Sequence, residues 1–593
     1  MTAIILDRFG GAAPRYDAWA LPPHGAQIAR GTRMHAGVLK GFRRAAPLYP
    51  PVSAPGAQTI FYDVGGGNWF TWSTDVNVVL GPVADSTVAR RYYYTGDGPP
   101  KKTDSTMAAS GSGAYPQASL NMGVPAPVGA PTVGQTGGSG GTEDHVYVIT
   151  YVSEFSGIEE ESAPSAPVTM AGRLVGTMST VTLTWTDTVP TSGYNITKRR
   201  VYRSNGSDYL FVGEYSIATY PTSATEAVAN AALGEAISTI YFDPPPADLK
   251  SLVALPNGSL AGISGNELCF SEPFQPHAWP TLYRIPVTDI PVALLVIGQS
   301  LYVATEGRPA LCTGVHPDSM SLEYSPAIAP CLAPRTFASD GKGVMYASYN
   351  GVVYVSGIST ETMSEDFMTL EEWSTYAPES MIGRYYNGRY TLWYDNGTDR
   401  GSLSFDRLVQ DAPLSMGTDT ATAAHVEPSN GKLYVLDEGE VREANADLIS
   451  PRVPFLWRSK LFILPRAVNF RYARVISDES LSDAAEEYAA KVADNEATVA
   501  AGGGSGAWAD VNVNEFPVNS SELHDGFSAE VPTEYVTLRV YAEGRLIITK
   551  NISSDEAFKL PSGFKEKRWE IEVTGTRPVR QVALATELRE LQS

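Results

Sequence analysis

The chain has 593 residues, 43% of them hydrophobic and only 18% charged, with 54 glycines, 42 prolines and 31 tyrosines. That length exceeds one ordinary core and points to three or four domains, while the apolar content excludes wholesale disorder. With 44 basic against 65 acidic side chains the net charge is −21, which repels nucleic acid on average and excludes a conventional DNA-binding protein.

Turn-forming residues alternating with aromatic runs are the composition of an all-β protein. The three cysteines, Cys269, Cys312 and Cys331, supply no disulfide framework and read as free thiols of a reducing compartment. The apolar start Ile4-Ile5-Leu6 is interrupted by Asp7 and Arg8, so no signal peptide is expected. The longest apolar run, Pro291 to Gly298, falls far short of the ~20 residues that span a bilayer.

Residues 1–55 hold scattered apolar side chains and the turn signals Gly10-Gly11 and Pro22-Pro23, and read as an extended N-terminal arm that packs on something else. Residues 56–108 carry the strand-like runs Thr59-Ile60-Phe61-Tyr62 and Arg91-Tyr92-Tyr93-Tyr94. Residues 109–141 are rich in Gly, Ser and Pro and read as a long loop.

From 142 to 246 the pattern is that of a compact β-module. Val181-Thr182-Leu183-Thr184-Trp185 alternates apolar with polar residues, as a strand with one buried face does. The length and texture match a fibronectin-III/Ig-like sandwich.

The segment 247–455 contains a repeat. A glycine followed within a few residues by an apolar strand recurs at Gly258, Gly298, Gly343, Gly388 and Gly431, at intervals of 40, 45, 45 and 43 residues. A propeller blade of four short strands occupies roughly 40–45 residues. Asn350-Gly351 supplies a hairpin turn before Val352-Val353-Tyr354-Val355. Five units fit here, the strands near Ile60 and Tyr93 supply another, and closure of the ring favours a blade shared between distant parts of the chain.

Residues 456–593 form a C-terminal β-domain, with Val536, Leu538 and Val540 alternating with polar residues. One inserted helix is expected near 483–501, begun by Asp483 with Glu486 three residues on and ended by Gly502-Gly503-Gly504. The fold class is therefore mainly β: a propeller body, an inserted sandwich and a C-terminal β-domain with one helix.

No motif on this chain carries chemistry. Gly137-Gly138-Ser139-Gly140-Gly141 matches the spacing of a nucleophile elbow, but no strand precedes it and no helix follows, and His145 does not complete it. Gly502 and Gly504 follow a helix, whereas dinucleotide binding needs a strand before the glycines. Histidines 24, 35, 145, 277, 316, 425 and 524 stand singly, without zinc-ligand spacing.

Asp395-Asn396-Gly397-Thr398-Asp399 lacks the later bidentate carboxylate of a calcium loop and reads as a hairpin turn. Glu159-Glu160-Glu161 reads as a solvated acidic face. Arg90-Arg91-Tyr92-Tyr93-Tyr94 with Lys101-Lys102, and Lys198-Arg199-Arg200, have the basic–aromatic make-up of a stacking platform, yet exposed strands are built the same way. The expectation is no catalytic, cofactor-binding or metal site and no cofactor.

Several segments, in order along the chain, resemble a family of bacteriophage tail proteins. They are Phe9-Gly10-Gly11 with Leu21-Pro22-Pro23-His24-Gly25-Ala26, and Gly157-Ile158-Glu159-Glu160-Glu161-Ser162-Ala163-Pro164-Ser165 followed by Val201-Tyr202-Arg203-Ser204. Next comes Phe270-Ser271-Glu272-Pro273-Phe274-Gln275-Pro276-His277-Ala278-Trp279-Pro280, then Pro330-Cys331. The last are Trp457-Arg458-Ser459-Lys460 with Leu464-Pro465-Arg466 and Asn469-Phe470, and Leu560-Pro561-Ser562-Gly563-Phe564 before Trp569-Glu570.

The resemblance implies a distal tail-tube or nozzle subunit of a short-tailed phage: a structural virion protein, not an enzyme, made and assembled in the host cytoplasm. It implies a homohexamer docked on an adaptor or portal complex, with tail fibres or spikes as neighbours. Genomic DNA would pass through the lumen during ejection without specific binding. The Gly-Gly-Val-Ser-Gln-Gln-like opening of that family is missing here. Two other readings are a receptor- or glycan-binding tail component and a propeller-fold polysaccharide hydrolase.

Overall fold

The computed structural model describes residues 3–34, 37–82, 90–206, 208–406, 414–444, 452–477, 535–552 and 554–591. The helix expected near 483–501 lies outside them.

The body of the molecule is a β-propeller, and the order of its sheets defines seven blades. Blade 1 is the hairpin Thr59–Asp63 and Asn68–Trp72; blade 2 is Asn77–Leu80, Arg91–Thr95, Lys101–Asp104 and Leu120–Asn121. Blade 3 runs from Lys250–Ala254 to Arg284–Pro286, blade 4 from Pro291–Ile297 to Ser321–Tyr324, and blade 5 from Ala338–Ser339 to Ser359–Thr362, each as four antiparallel strands. Blade 6 runs from Ile382–Tyr386 to Leu414–Gly417, and blade 7 comprises Ala423–Glu427, Lys432–Asp437 and Glu440–Glu443. From blade 2 round to blade 1, the first strands of successive blades lie side by side around the centre.

The five repeated glycines each stand at the turn into the second strand of blades 3 to 7. Asn387 and Gly388 both adopt positive φ, 49° and 82°, as the two-residue hairpin between Tyr386 and Arg389 requires. At Gly351 (φ 137°) a Cβ would come 2.0 Å from Ser364 Oγ, so the turn accepts no larger residue without rearrangement.

Blades are buried on both faces, which explains runs that do not alternate in polarity. In Val344–Ser348 of blade 5, Val344 and Tyr346 pack towards blade 4, while Met345 and Ala347 pack towards blade 6. The ring closes where blade 7 meets blade 1: Ile60 and Trp69 pack with Ala423, Leu436 and Tyr434, the Trp69 and Tyr434 rings lying edge to face at 4.9 Å.

The first 55 residues are more than an extended arm, for they carry strands of three larger sheets and a two-stranded sheet of their own, Thr32–Arg33 with Lys40–Gly41. Ala46–Pro47 is the fourth strand of blade 7, antiparallel to Glu440–Glu443. Ala26–Arg30 pairs parallel with the outer strand of blade 6 at Met416 and antiparallel with Phe455–Ser459, joining the propeller to the C-terminal sheets in one ten-stranded sheet. Ala3–Leu6 pairs with Val579–Ala585.

The C-terminal region is a two-sheet sandwich whose shared core includes Leu6, Trp457, Leu538, Ile571 and Leu584, all buried. A second sandwich is inserted between blades 2 and 3. Its three-stranded sheet (Thr132–Thr136, Thr180–Thr184, Ser223–Glu226) faces a five-stranded one built around Thr142–Phe155 and Ile196–Asn205 across Tyr147, Ile149, Val181, Leu183 and Val201. The stretch 109–141, read as a loop, thus contributes a strand to blade 2 and another to this sandwich.

Trp69→Ala removes the ring that seals the last blade to the first. It should destabilise the protein by about 3–5 kcal/mol, read as a lower urea midpoint in equilibrium unfolding.

Candidate functional site

The seven first strands frame a central cavity of about 820 Å3. Its charged lining is Asp75, Lys250, Glu306, Arg335 and Arg384. Arg335 sits on the single turn Pro334–Thr336 that leads into blade 5, and Arg384 on the first strand of blade 6.

Both guanidiniums are spent on backbone. Arg335 Nη2 donates to the carbonyl of Thr422 at 2.6 Å and to that of Gln58, and its Nε lies 3.9 Å from Asp75. Arg384 donates through Nε to Ala424 O at 3.0 Å and through Nη1 to Arg335 O at 3.0 Å. Burial lowers the pKa of each, and Arg335 lowers that of Arg384 further. Together they tie blades 5 and 6 to blade 7 and to the residue before blade 1, bracing the cavity. No sequence signal marked either arginine, since each stands alone in an apolar stretch.

Two further clusters lie where modules join. At the joint of arm and C-terminal sandwich, Trp457 Nε1 donates to Gly10 O at 2.9 Å and its ring meets Phe9 edge-on at 5.0 Å. Lys460 Nζ donates to Leu21 O at 2.5 Å, and Arg458 pairs with Glu570 at 2.7 Å. Phe470 and Phe564 both pack on Trp569, at 4.9 and 6.0 Å between centroids.

At the joint of inserted sandwich and propeller, Lys102 of blade 2 pairs with Glu160, both almost fully buried, and Lys102 Nζ stands 5.0 Å over the Phe155 ring. Ser162 and Ser165 hydroxyls accept from Tyr151 N (2.9 Å) and Ile149 N (3.1 Å) and hold the edge strand's departure. Ala163 N donates to Phe242 O, the Phe242 ring lies 5.7 Å from His277, and Trp279 N donates to Asp243 O at 2.7 Å.

The acidic and basic runs are therefore only in part a solvated face and exposed strands, for Glu159 is exposed but its neighbours are drawn into internal pairs. Glu160 is buried against Lys102, while Glu159 and Glu161 pair with Arg200, and Glu159 also with Lys198. Arg199 is buried, bonded to Asp187 at 2.9 Å and lying 5.1 Å over the Trp185 ring. Tyr92, Tyr93 and Tyr94 are all buried between blades, so no stacking platform is available there.

Deeper in the sandwich, Arg173 donates to Glu226 (2.6 Å) and to Tyr147 OH (2.7 Å), and Arg203 lies 3.3 Å from the same carboxylate. His145 touches this group, and burial lowers its pKa. Ser139 instead bonds Thr177 in a turn, its Oγ 3.2 Å from Thr177 Oγ1. Asp395 and Asn396 spend their side-chain oxygens on backbone N–H groups at 397, 398 and 399, which makes the 395–399 segment a capped hairpin turn. The three cysteines are buried and separate, and burial raises the thiol pKa to about 11 for Cys269 and about 12 for Cys312 and Cys331.

Among the described residues no three His, Cys, Asp or Glu side chains are grouped to hold a metal, and no helix is long and apolar enough to cross a membrane. His35, His524 and Gly502-Gly503-Gly504 lie outside the described residues.

No family model and no curated protein matches the chain. Among solved structures it is similar to the WD40 domain of Neurospora crassa Pan2, at 8% identity and a TM-score of 0.23 over 46% of this chain and 86% of that one. It is also similar to the extracellular domain of a putative hybrid two-component system, BT4673, from B. thetaiotaomicron (7%, TM-score 0.25, 93% and 61%). A third is apo AztD from Citrobacter koseri (11%, 0.23, 50% and 77%). The propeller assignment rests on the blade order described above.

Burial, with the Lys102 charge second, pushes the His277 imidazole down to about 3. In the unfolded chain it titrates near ~6.5. Between those values the unfolded state binds the extra proton, so stability falls as pH drops, by at most about 1.4 kcal/mol per pH unit. Comparing urea midpoints from pH 7 to pH 4, His277→Gln should show a shallower loss than the wild type.

Proposed function

We propose that the chain is a structural subunit of the tail of a short-tailed bacteriophage, a distal tail-tube or nozzle protein that assembles as a homohexameric conduit for genome ejection. One observation carries this reading: most of the segments that resemble the phage family, scattered over the chain, meet at two joints, while Val201–Ser204 lies within the inserted sandwich and Pro330-Cys331 between blades 4 and 5. Phe9-Gly10-Gly11, Leu21, Trp457-Arg458-Ser459-Lys460, Phe470, Phe564 and Trp569-Glu570 gather where the arm enters the C-terminal sandwich. Glu159-Glu160-Glu161 to Ser165 and the Phe270–Pro280 run gather where the inserted sandwich meets the propeller. Resemblance concentrated on joints fits a protein whose task is holding modules at fixed angles, as an assembling subunit must.

In this reading the inserted sandwich is a fibronectin-III/Ig-like module, and the protein works by assembly rather than catalysis. Its partners are an adaptor or portal complex and tail fibres or spikes, and it resides in the virion tail after assembly in the host cytoplasm. The central cavity of about 820 Å3 is of the size that takes a small ligand, and Arg335 and Arg384 span it. The passage for DNA therefore lies between copies, not through each propeller. A net charge of −21, with the basic runs neutralised internally, favours passage without adhesion.

Native mass spectrometry of the purified protein with its tail partners, followed by a symmetric reconstruction, should show six copies around an axis. A chain that stays monomeric with those partners refutes the conduit. Duplex DNA should not be retarded by the protein in a gel at physiological salt, and tight, salt-sensitive binding would contradict the reading.

A further inference from the structure

A second cavity, of about 770 Å3, lies between blades 6 and 7 beneath the arm. Five arginines from three parts of the chain line it, Arg30, Arg43 and Arg44 from the arm, Arg389 from blade 6 and Arg442 from blade 7, against the three carboxylates Asp419, Asp437 and Glu438. In a chain of net charge −21 such a concentration of cations is against the average.

Arg389 is the central one. It begins the second strand of blade 6 directly after the Asn387-Gly388 turn, and its guanidinium lies 4.3 Å from the centre of the Phe42 ring. The residue is 8% exposed, and its Nε is shielded from solvent without a hydrogen-bond partner. Burial first, and the Arg33 charge second, lower its pKa to about 10.

The carboxylates around it are committed elsewhere or reach it only through their charge. Asp419 accepts from Trp393 Nε1 at 3.1 Å and from Ser402 Oγ at 2.6 Å. Asp437 accepts from Thr420 Oγ1 and lies 3.3 Å from Arg442. Asp406 stands opposite Arg389 in the strand pair and acts on it at Coulombic range.

A buried guanidinium with no carboxylate in hydrogen-bond contact carries a desolvation cost that the charges of Asp406 and Asp419 offset only in part. With one face covered by an aromatic ring, its planar fork is left to meet a planar or tetrahedral oxyanion edge-on. We propose that this cavity is a binding site for a small oxyanion-bearing ligand, whose carboxylate or phosphate group seats on Arg389 with Arg30 and Arg44 at the rim. The proposal stands on residues within one chain and does not depend on the tail assignment.

Isothermal titration and thermal unfolding of the full chain with sodium phosphate, with citrate, and with sodium chloride at matched ionic strength test it. Saturable binding of phosphate or citrate, with a rise in Tm that chloride does not reproduce, is expected. A response to phosphate alone identifies a phosphate ligand, and a response to citrate alone a carboxylate. Arg389→Gln should weaken the binding at least about tenfold, the loss of a charge-assisted contact. Arg44→Gln should weaken it by a smaller factor and carries the test where R389Q does not fold. Absence of saturable binding to either anion, or unchanged affinity in both variants or in R44Q alone when R389Q does not fold, overturns the proposal.

Discussion

A sheet that ends leaves a row of unpaired N–H and C=O groups, and the need to satisfy those rows governs this molecule more than any other constraint. The propeller closes its inner edges by circling, but the outer edges of its last two blades still need partners. The arm supplies both. Ala46–Pro47 completes blade 7, and Ala26–Arg30 lies beside the outer strand of blade 6 and passes that edge to Phe455–Ser459. Ala3–Leu6 then edges the second sheet of the C-terminal sandwich. The two ends of the chain are thus locked into one structure, and neither the propeller nor the C-terminal sandwich has its full complement of strands without the first 50 residues.

Charge follows the same logic of internal satisfaction. Runs of like charge that look like binding surfaces along the chain become ion pairs once it is folded, because the strands carrying Glu159 to Glu161 and Lys198 to Arg200 flank the same central strand, Thr142–Phe155, and their side chains meet across it. Lys102 and Glu160 form the buried pair at the propeller joint, where a polar contact surrounded by Phe155, Tyr93 and Trp279 specifies one docking geometry rather than many.

The repeat at Gly258, Gly298, Gly343, Gly388 and Gly431 was legible because each glycine fills the same post, the turn into a blade's second strand. Gly67 (φ 72°) holds that post in blade 1 as well, ahead of Asn68–Trp72. Its place in the series is hidden, because an inserted sandwich of more than a hundred residues separates it from the next regular unit. The parallel contact of Arg30 with Met416 and the pairing of Ala46–Pro47 with Glu440–Glu443 span nearly four hundred residues, and local periodicity holds no record of such pairings. Arg335, Arg384 and Arg389 were equally invisible. Each is a lone cation whose setting is created only when blades from different parts of the chain come together.

The three arginines also show how one residue type serves opposite ends in adjacent places. Arg335 and Arg384 reach carbonyls that the start of each blade leaves free, so their cost of burial is offset and the ring gains cross-links. Arg389 is buried to a similar degree, yet the strands beside it already use their carbonyls on each other and its nearest acids are engaged. Fold economy accounts for the first two. It does not account for the third, whose charge is held against Phe42 at the wall of a cavity, and a cation kept there at a cost to stability is best explained by something that arrives to meet it.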